Sequence, residues 1–315
     1  MNEVIKLIVR NVIYFMLSPL EKILLRYQRH VSVSPPVFIL GAPRSGTTLL
    51  YELLVSCYEF SYFTNLANSF PFVPLSISKL TLIFKRGWSG TQESNFGVVG
   101  GIAAPSEAGN IWARWISEFD YLDERDAKER KKKMDEATKV IQALQELQGA
   151  PFLNKNVMHS VHVRFLNIIF PGCLFIEIRR DIKANVRSII RAREQGGGPL
   201  LDPDGWWSVR PRGVDLWCGL SMEEQACAQV VLLRKDIDED FKSIGENRRF
   251  IVNYEEICQN PTVTLEAITE FIKPICKQMK ILGSFPAPIE QSSSLRFSSE
   301  RESVINNTLK VLGES

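Results

Sequence analysis

The 315-residue sequence has no C-x-x-C pair and no Cys/His spacing suited to a metal. Its six cysteines (Cys57, Cys173, Cys218, Cys227, Cys258 and Cys276) are scattered. That pattern reads as buried thiols in a reducing compartment, not as a disulfide framework. Charge imbalance is also missing: 38 Lys+Arg against 36 Asp+Glu leave a net charge of +2, so no global field draws the chain to nucleic acid. Nor is there a long uncharged apolar run. Within the apolar N-terminus the longest, Asn11 to Leu20, is about half of the ~20 residues that cross a bilayer. Lys6, Arg10 and Glu21 interrupt the segment, Pro19 bends it, and no small-residue cleavage site follows it. Residues 1–34 therefore read as an N-terminal helical segment. One reading is an amphipathic helix covering the domain. The other is an interfacial helix, with Lys6, Arg10, Lys22 and Arg26 near headgroups, giving peripheral contact with a membrane. The expected location is cytoplasmic, or peripheral at the inner face of a membrane.

What is present is the 45% hydrophobic, 23% charged balance of a globular protein. "PPVFIL", "PFLNK", "CLFIEIR" and "RFIVNYE" are short apolar runs suited to buried parallel strands. Between and after them lie helix-periodic stretches: "SGTTLLYELLVS", "SVHVRFLNIIF", "DIKANVRSIIRARE", "SMEEQACAQVVLLRKDIDEDFKSI" and "TVTLEAITEFI". Strands alternating with helices predict an α/β fold with a central parallel sheet flanked by helices. Residues 124–148 read as one charged helix outside the sheet, its "KERKKK" run a solvated face. Residues 35–315 read as a single domain with two insertions. One, near 65–105, is rich in Ser, Pro, Phe and Gly; the other, near 196–220, holds three tryptophans. Loops of that length are usually lids or binding loops.

Between the first strand and the first sheet helix runs Gly41-Ala-Pro-Arg-Ser-Gly-Thr-Thr48. Backbone N–H groups at such a turn, with the positive helix end, cradle a phosphate. A nucleoside-triphosphate loop reads G-x-x-x-x-G-K-[ST]. Here Gly41 and Gly46 keep the spacing, but Thr47 stands where the lysine belongs and the positive charge has moved to Arg44.

Pro43-Arg44-Ser45-Gly46-Thr47-Thr48 resembles the loop that holds the 5′-phosphosulfate in sulfotransferases using 3′-phosphoadenosine 5′-phosphosulfate (PAPS), in the arginine form of the bacterial branch. In that family an arginine ending a later strand, with a serine eight residues on, holds the 3′-phosphate. "CLFIEIRRDIKANVRSII" supplies Arg180 and Ser188 at that separation. "NYEEICQNPTVTLEAITEFI", beginning near Tyr254, is similar to the family's tyrosine-acidic stretch before a proline and an apolar helix. The likeness covers roughly Val37 to Ile272. It implies a three-layer P-loop-type fold, PAPS as donor with adenosine 3′,5′-bisphosphate as product, and no required metal. It also implies a donor site of Arg44, Ser45, Gly46, Thr47, Thr48, Arg180, Ser188 and Tyr254.

Sulfuryl transfer to an alcohol needs a group to take the acceptor's proton. "NKNVMHSVH" is similar to the family's K-x-x-x-H segment, whose lysine contacts the transferring group and whose histidine serves as base; Lys155 and His159 match. Imidazole, with a reference pKa of ~6.5, accepts a proton at neutral pH. The family's tyrosine-modifying branch carries its basic glutamate about twenty residues after the loop arginine. Thr64 and Asn65 stand near that position here, which argues against a tyrosine acceptor. Glu107, heading a helix-periodic stretch, is the second candidate base, or else a helix N-terminal charge. His159 and His162 lie three apart but have no third metal ligand nearby, and His30 has no assigned role. Trp112, Trp115, Trp206, Trp207 and Trp217 either stack on an acceptor or pack the insertions onto the core. The expected acceptor is a glycan or glycolipid, with a hydrophobic hydroxylated metabolite as the alternative. Two other functions fit the loop less well: a kinase or nucleotide hydrolase of the same fold, and a non-catalytic nucleotide-binding scaffold.

Overall fold

All four residues of Val37–Leu40 are fully buried, which a strand sustains only when both faces of its sheet are covered. The structure, a computed structural model, describes residues 3–26, 34–82, 94–95, 98–116, 122, 124–196, 205–276, 280–283, 285–291 and 297–314. Its strands are β1 (Val37–Leu40), β2 (Ser94–Asn95), β3 (Val98–Val99), β4 (Leu153–Lys155), β5 (Leu174–Arg179) and β6 (Arg249–Asn253). In chain order the helices are α1 (Glu3–Arg26), α2 (Thr47–Cys57), α3 (Asn65–Ser69), α4 (Pro74–Thr81), α5 (Gly109–Trp112), α6 (Glu124–Glu129), α7 (Lys131–Gln148) and α8 (Val163–Ile169). After them come α9 (Ile182–Glu194), α10 (Met222–Ile244), α11 (Tyr254–Gln259), α12 (Pro261–Ile272) and α13 (Ser299–Val311).

Four strands form a parallel sheet in the order β4-β1-β5-β6, while β2 and β3 make a separate antiparallel pair. Side chains alternate across β1 as a pleated strand requires. Val37 and Ile39 pack with Leu50 and Leu54 of α2 and Leu265 and Ile268 of α12. Phe38 and Leu40 pack on the other face with Leu144 of α7, Val186 of α9 and Val230 of α10. Helices thus cover both sides, the three-layer arrangement the strand–helix alternation predicts.

The order of the strands creates the crevice. From β1 the chain crosses to β4 on one side; from β5 it continues to β6 on the other. The connections leaving β1 and β5 therefore diverge, opening a gap beyond the carboxyl ends of these two neighbours, where α/β sheets bind ligands. Gly41 begins one of those connections and Arg180 the other.

Several elements differ from the sequence reading. The single helix expected over 124–148 is two helices, α6 and α7, separated at Arg130 (φ −94°, ψ 10°). Met134, Ala137, Val140, Ile141 and Leu144 tie α7 to the core, while Lys131, Lys132 and Lys133 are exposed. The helix expected to run through "SVHVRFLNIIF" splits at His162, with a 3-10 turn over Val157–Val161 before α8. In the first insertion the described residues include α3 and α4, with Leu75 and Ile77 buried. In the second, Trp206 packs on Val214 and Ala228. Residues 83–93, 96–97 and 197–204, and His30, lie outside the described residues. α1 docks on α4 through buried Glu21, whose carboxylate accepts the N–H groups of Leu75 (3.1 Å) and Ser76 (2.7 Å) and the Ser76 hydroxyl (2.7 Å).

Candidate active site

The loop after β1 is held from three directions. Ser160 Oγ accepts the Gly41 N–H (3.0 Å) and donates to the Gly41 carbonyl (3.2 Å). Asn185 Nδ2, one turn into α9, donates to the Pro43 carbonyl (2.7 Å), and Arg180 Nη1 donates to the Arg44 carbonyl (3.3 Å). Arg44 itself sits at φ 65°, a left-handed conformation that costs a non-glycine residue energy and persists only where its surroundings impose it. Gly46 has φ 103°, and a Cβ there would lie 2.4 Å from Tyr254 Cδ2, so the close approach of Tyr254 demands a glycine. Thr47 and Thr48 are the first two residues of α2, at the positive end of the helix. The Ser45 hydroxyl is buried and has no hydrogen-bond partner among the described residues.

Two guanidiniums meet at this loop. Arg180 follows directly on β5, and its carbonyl accepts a hydrogen bond from Arg234 of α10. Its guanidinium lies 4.4 Å from the Tyr254 ring centroid, the tyrosine that follows β6. Burial and the positive charge of Arg180 both push the Arg44 guanidinium below its usual range, with Tyr254 acting in the opposite sense. Two like charges held together relax when an anion sits between them. The Asp181 side chain caps α9 by accepting the Ala184 N–H (2.8 Å). Ser188, half-buried on α9, is three residues beyond Asn185 and so shares the face that meets the loop.

Lys155 ends β4 beside the same crevice, 2% exposed and ion-paired with Glu107. A tight bend presents Glu107: Ala108 is left-handed at φ 59°, and its N–H is taken by Ser106 Oγ (3.1 Å). A second carboxylate, missed in the sequence reading, faces the same lysine. Glu52 lies on the second turn of α2, 7% exposed, with Oε1 buried and without a hydrogen-bond partner among the described residues. Burial pushes its carboxyl up to about 7, against the opposing pull of Lys155. The sequence clue was an acidic residue inside an otherwise apolar helix, "TTLLYELLVSC".

His159 is placed differently from expectation. It is 1% exposed, stacked edge-on against Phe38 and Trp112, with Nε2 2.8 Å from Asn154 Oδ1. Asn154 Oδ1 also accepts the Trp112 indole N–H (2.9 Å), while its Nδ2 donates to the Ser106 carbonyl (3.2 Å). That orientation of the amide makes the His159 Nε2 the donor. Burial, and His162 after it, holds the imidazole well below its usual pKa, so it is neutral. Among the described residues no group of three or more His, Cys, Asp or Glu side chains could hold a metal ion. Trp112, Trp115, Trp206 and Trp207 are buried and Trp217 half-buried, so four of the five tryptophans considered for the acceptor are core residues.

A glycine-containing strand–helix loop at the switch point of a parallel sheet, with Arg44 within it and Arg180 against it, stands where α/β folds place phosphate-binding loops. The chain belongs to the sulfotransferase family, whose model matches residues 35–274. Omega-hydroxy-beta-dihydromenaquinone-9 sulfotransferase Stf3 is 23% identical over 263 residues in both Mycobacterium bovis and Mycobacterium tuberculosis. That match takes in 78% of this chain and 65% of the relative, so the chain spans about two-thirds of the curated relatives' length. The crystal structure of sulfotransferase STF9 from Mycobacterium avium shares the fold: TM-score 0.51 and 18% identity, covering 90% of this chain and 70% of that one.

Proposed function

We propose that this chain transfers the sulfuryl group of PAPS to the hydroxyl of a hydrophobic acceptor, releasing adenosine 3′,5′-bisphosphate. The observation that carries the reading is the meeting of Arg44 and Arg180 at the diverging ends of β1 and β5. In this reading the amides of the Arg44–Thr48 loop and the Arg44 guanidinium hold the 5′-phosphate, while Arg180 and Ser188 hold the 3′-phosphate and Tyr254 backs Arg180. The acceptor oxygen attacks sulfur in line, the bond from sulfur to the 5′-phosphate oxygen breaks, and Arg44 and Lys155 offset the charge left there. No step calls for a metal.

We assign the acceptor's proton to Glu52 in preference to His159. A carboxyl held near neutrality is a competent base, whereas the neutral His159 ring is walled in by Phe38 and Trp112. Glu107 keeps Lys155 aimed at the transferring group. A hydrophobic acceptor is favoured over a glycan because the candidate sugar-stacking tryptophans are largely spent in the core, and because the named acceptor of Stf3 is a hydroxylated menaquinone.

Thermal unfolding tests the donor site. Adenosine 3′,5′-bisphosphate without magnesium should raise Tm, while ATP with magnesium should not. Arg44→Ala should remove most of that shift and lower transfer roughly 10²–10³-fold while leaving the Tm of the ligand-free protein near wild type. Stabilisation by ATP and magnesium instead would sink the reading.

A further inference from the structure

α1 is apolar on two sides, and among the described residues only one of them is covered. Tyr14, Leu17, Leu24 and Leu25 pack on the main core, and Glu21 is buried against α4. On the opposite side Ile5, Ile8, Val12, Phe15, Met16 and Ile23 are exposed, Phe15 at 84% and Met16 at 69%. At 100° per residue these six fall within an arc about 100° wide, a continuous stripe and not scattered exposure. Charge along the helix is one-sided. From Ile5 to Arg26 the exposed side chains include Arg10, Lys22 and Arg26 and no acid, Glu21 being 5% exposed and occupied at α4. Lys22 and Arg26, one turn apart, flank the C-terminal end of the stripe.

We propose that this face of α1 seats the protein on the surface of a bilayer containing anionic lipid. A stripe roughly 27 Å long and ~10 Å wide offers about 300 Å², well below the ~800 Å² per partner of a stable protein interface. A bilayer requires no complementary shape, only an apolar face of this kind flanked by basic residues. Seating, not spanning, is the geometry: no helix among the described residues is long and apolar enough to cross a membrane. From α1 a line of contacts leads toward the crevice. The Tyr14 and Phe72 rings meet at 5.4 Å, the Arg114 guanidinium lies 4.8 Å from the Phe72 ring centroid, and Arg114 follows closely on α5, which begins two residues after Glu107. The seating does not rest on the transfer reading.

Flotation of the full chain with vesicles tests the seating. Binding to phosphatidylcholine vesicles that contain phosphatidylglycerol is expected. A Phe15→Glu/Met16→Glu variant should bind roughly tenfold less or weaker still. Lys22→Glu/Arg26→Glu should lose the advantage of the anionic lipid while keeping residual binding to phosphatidylcholine. Both pairs lie on the exposed face, so Tm and the shift produced by adenosine 3′,5′-bisphosphate should be unchanged, which separates this proposal from the fate of the transfer reading. The proposal is overturned if the chain stays with the aqueous fraction for every vesicle, if the Phe15/Met16 variant floats like wild type, or if sedimentation without lipid shows a dimer that this variant dissolves.

Discussion

At Glu52 burial bears directly on the proposed role as base. Its folded pKa of about 7 lies above the ordinary glutamate value of 4.5, so the folded protein binds this proton more tightly than the unfolded chain. The stability it contributes is therefore present below about pH 4.5 and is lost as pH rises through about 7. A Glu52→Gln protein should gain Tm relative to wild type between pH 5 and pH 8. For activity the sign is reversed, because a base must be ionised. Wild-type kcat/KM should fall on the acid side with a midpoint near 7, and Glu52→Gln should lose roughly 10²–10⁴-fold together with that limb. An unchanged acid limb in the variant would give the proton to another group. His159→Gln makes the complementary prediction. Loss of the packing between Phe38 and Trp112 and of the bond to Asn154 should cost about 1–3 kcal/mol in urea unfolding, while kcat of the folded enzyme stays within several-fold. Collapse of kcat at unchanged stability would return the base to His159. Lys155 and Glu107 were each singled out in the sequence, Lys155 for the transferring group and Glu107 as a candidate base. Their ion pair was not, because 48 residues of chain separate them.

Elements were legible to the extent that their periodicity was local. β1, β5 and β6 follow from short β-rich runs, and α2, α9, α10 and α12 from apolar spacing near 3.6. The break at Arg130 had no glycine or proline to mark it, so the charged run "KERKKK" concealed the end of one helix and the start of the next. The 3-10 turn at Val157–Val161 was hidden similarly: its residues suit a helix, but Ser160 is drawn down onto Gly41 and His159 into the core. Glu21 shows how one side chain couples two elements. With Pro74 at its start, α4 presents the N–H groups of Leu75 and Ser76 to that carboxylate. Glu21→Ala should cost about 1–2 kcal/mol in chemical denaturation, since it leaves two buried N–H donors and the Ser76 hydroxyl without this acceptor. A cost near zero would mean that the burial of the carboxylate offsets its bonds, burial that already pushes its pKa upward.

At the scale of the whole molecule, each of the four parallel strands delivers one element of the candidate site at its carboxyl end. β1 gives the Gly41–Thr48 loop, β4 gives Lys155, β5 gives Arg180 and β6 gives Tyr254. The stabilisation expected from adenosine 3′,5′-bisphosphate belongs to this scale, because its two phosphates would tie the divergent β1 and β5 connections together. The fold class and the loop with Arg44 in place of the usual lysine were readable in the chain alone, as were Arg180 and Ser188 as candidates for a second phosphate. These depend on spacings within a single strand–turn–helix, and such spacings are set by backbone geometry. Which groups surround Lys155, the burial of His159 and four tryptophans, and the exposure of one face of α1 among the described residues came only from the packed structure. Burial and proximity across distant segments arise from how the layers pack, and no local pattern in the chain encodes them.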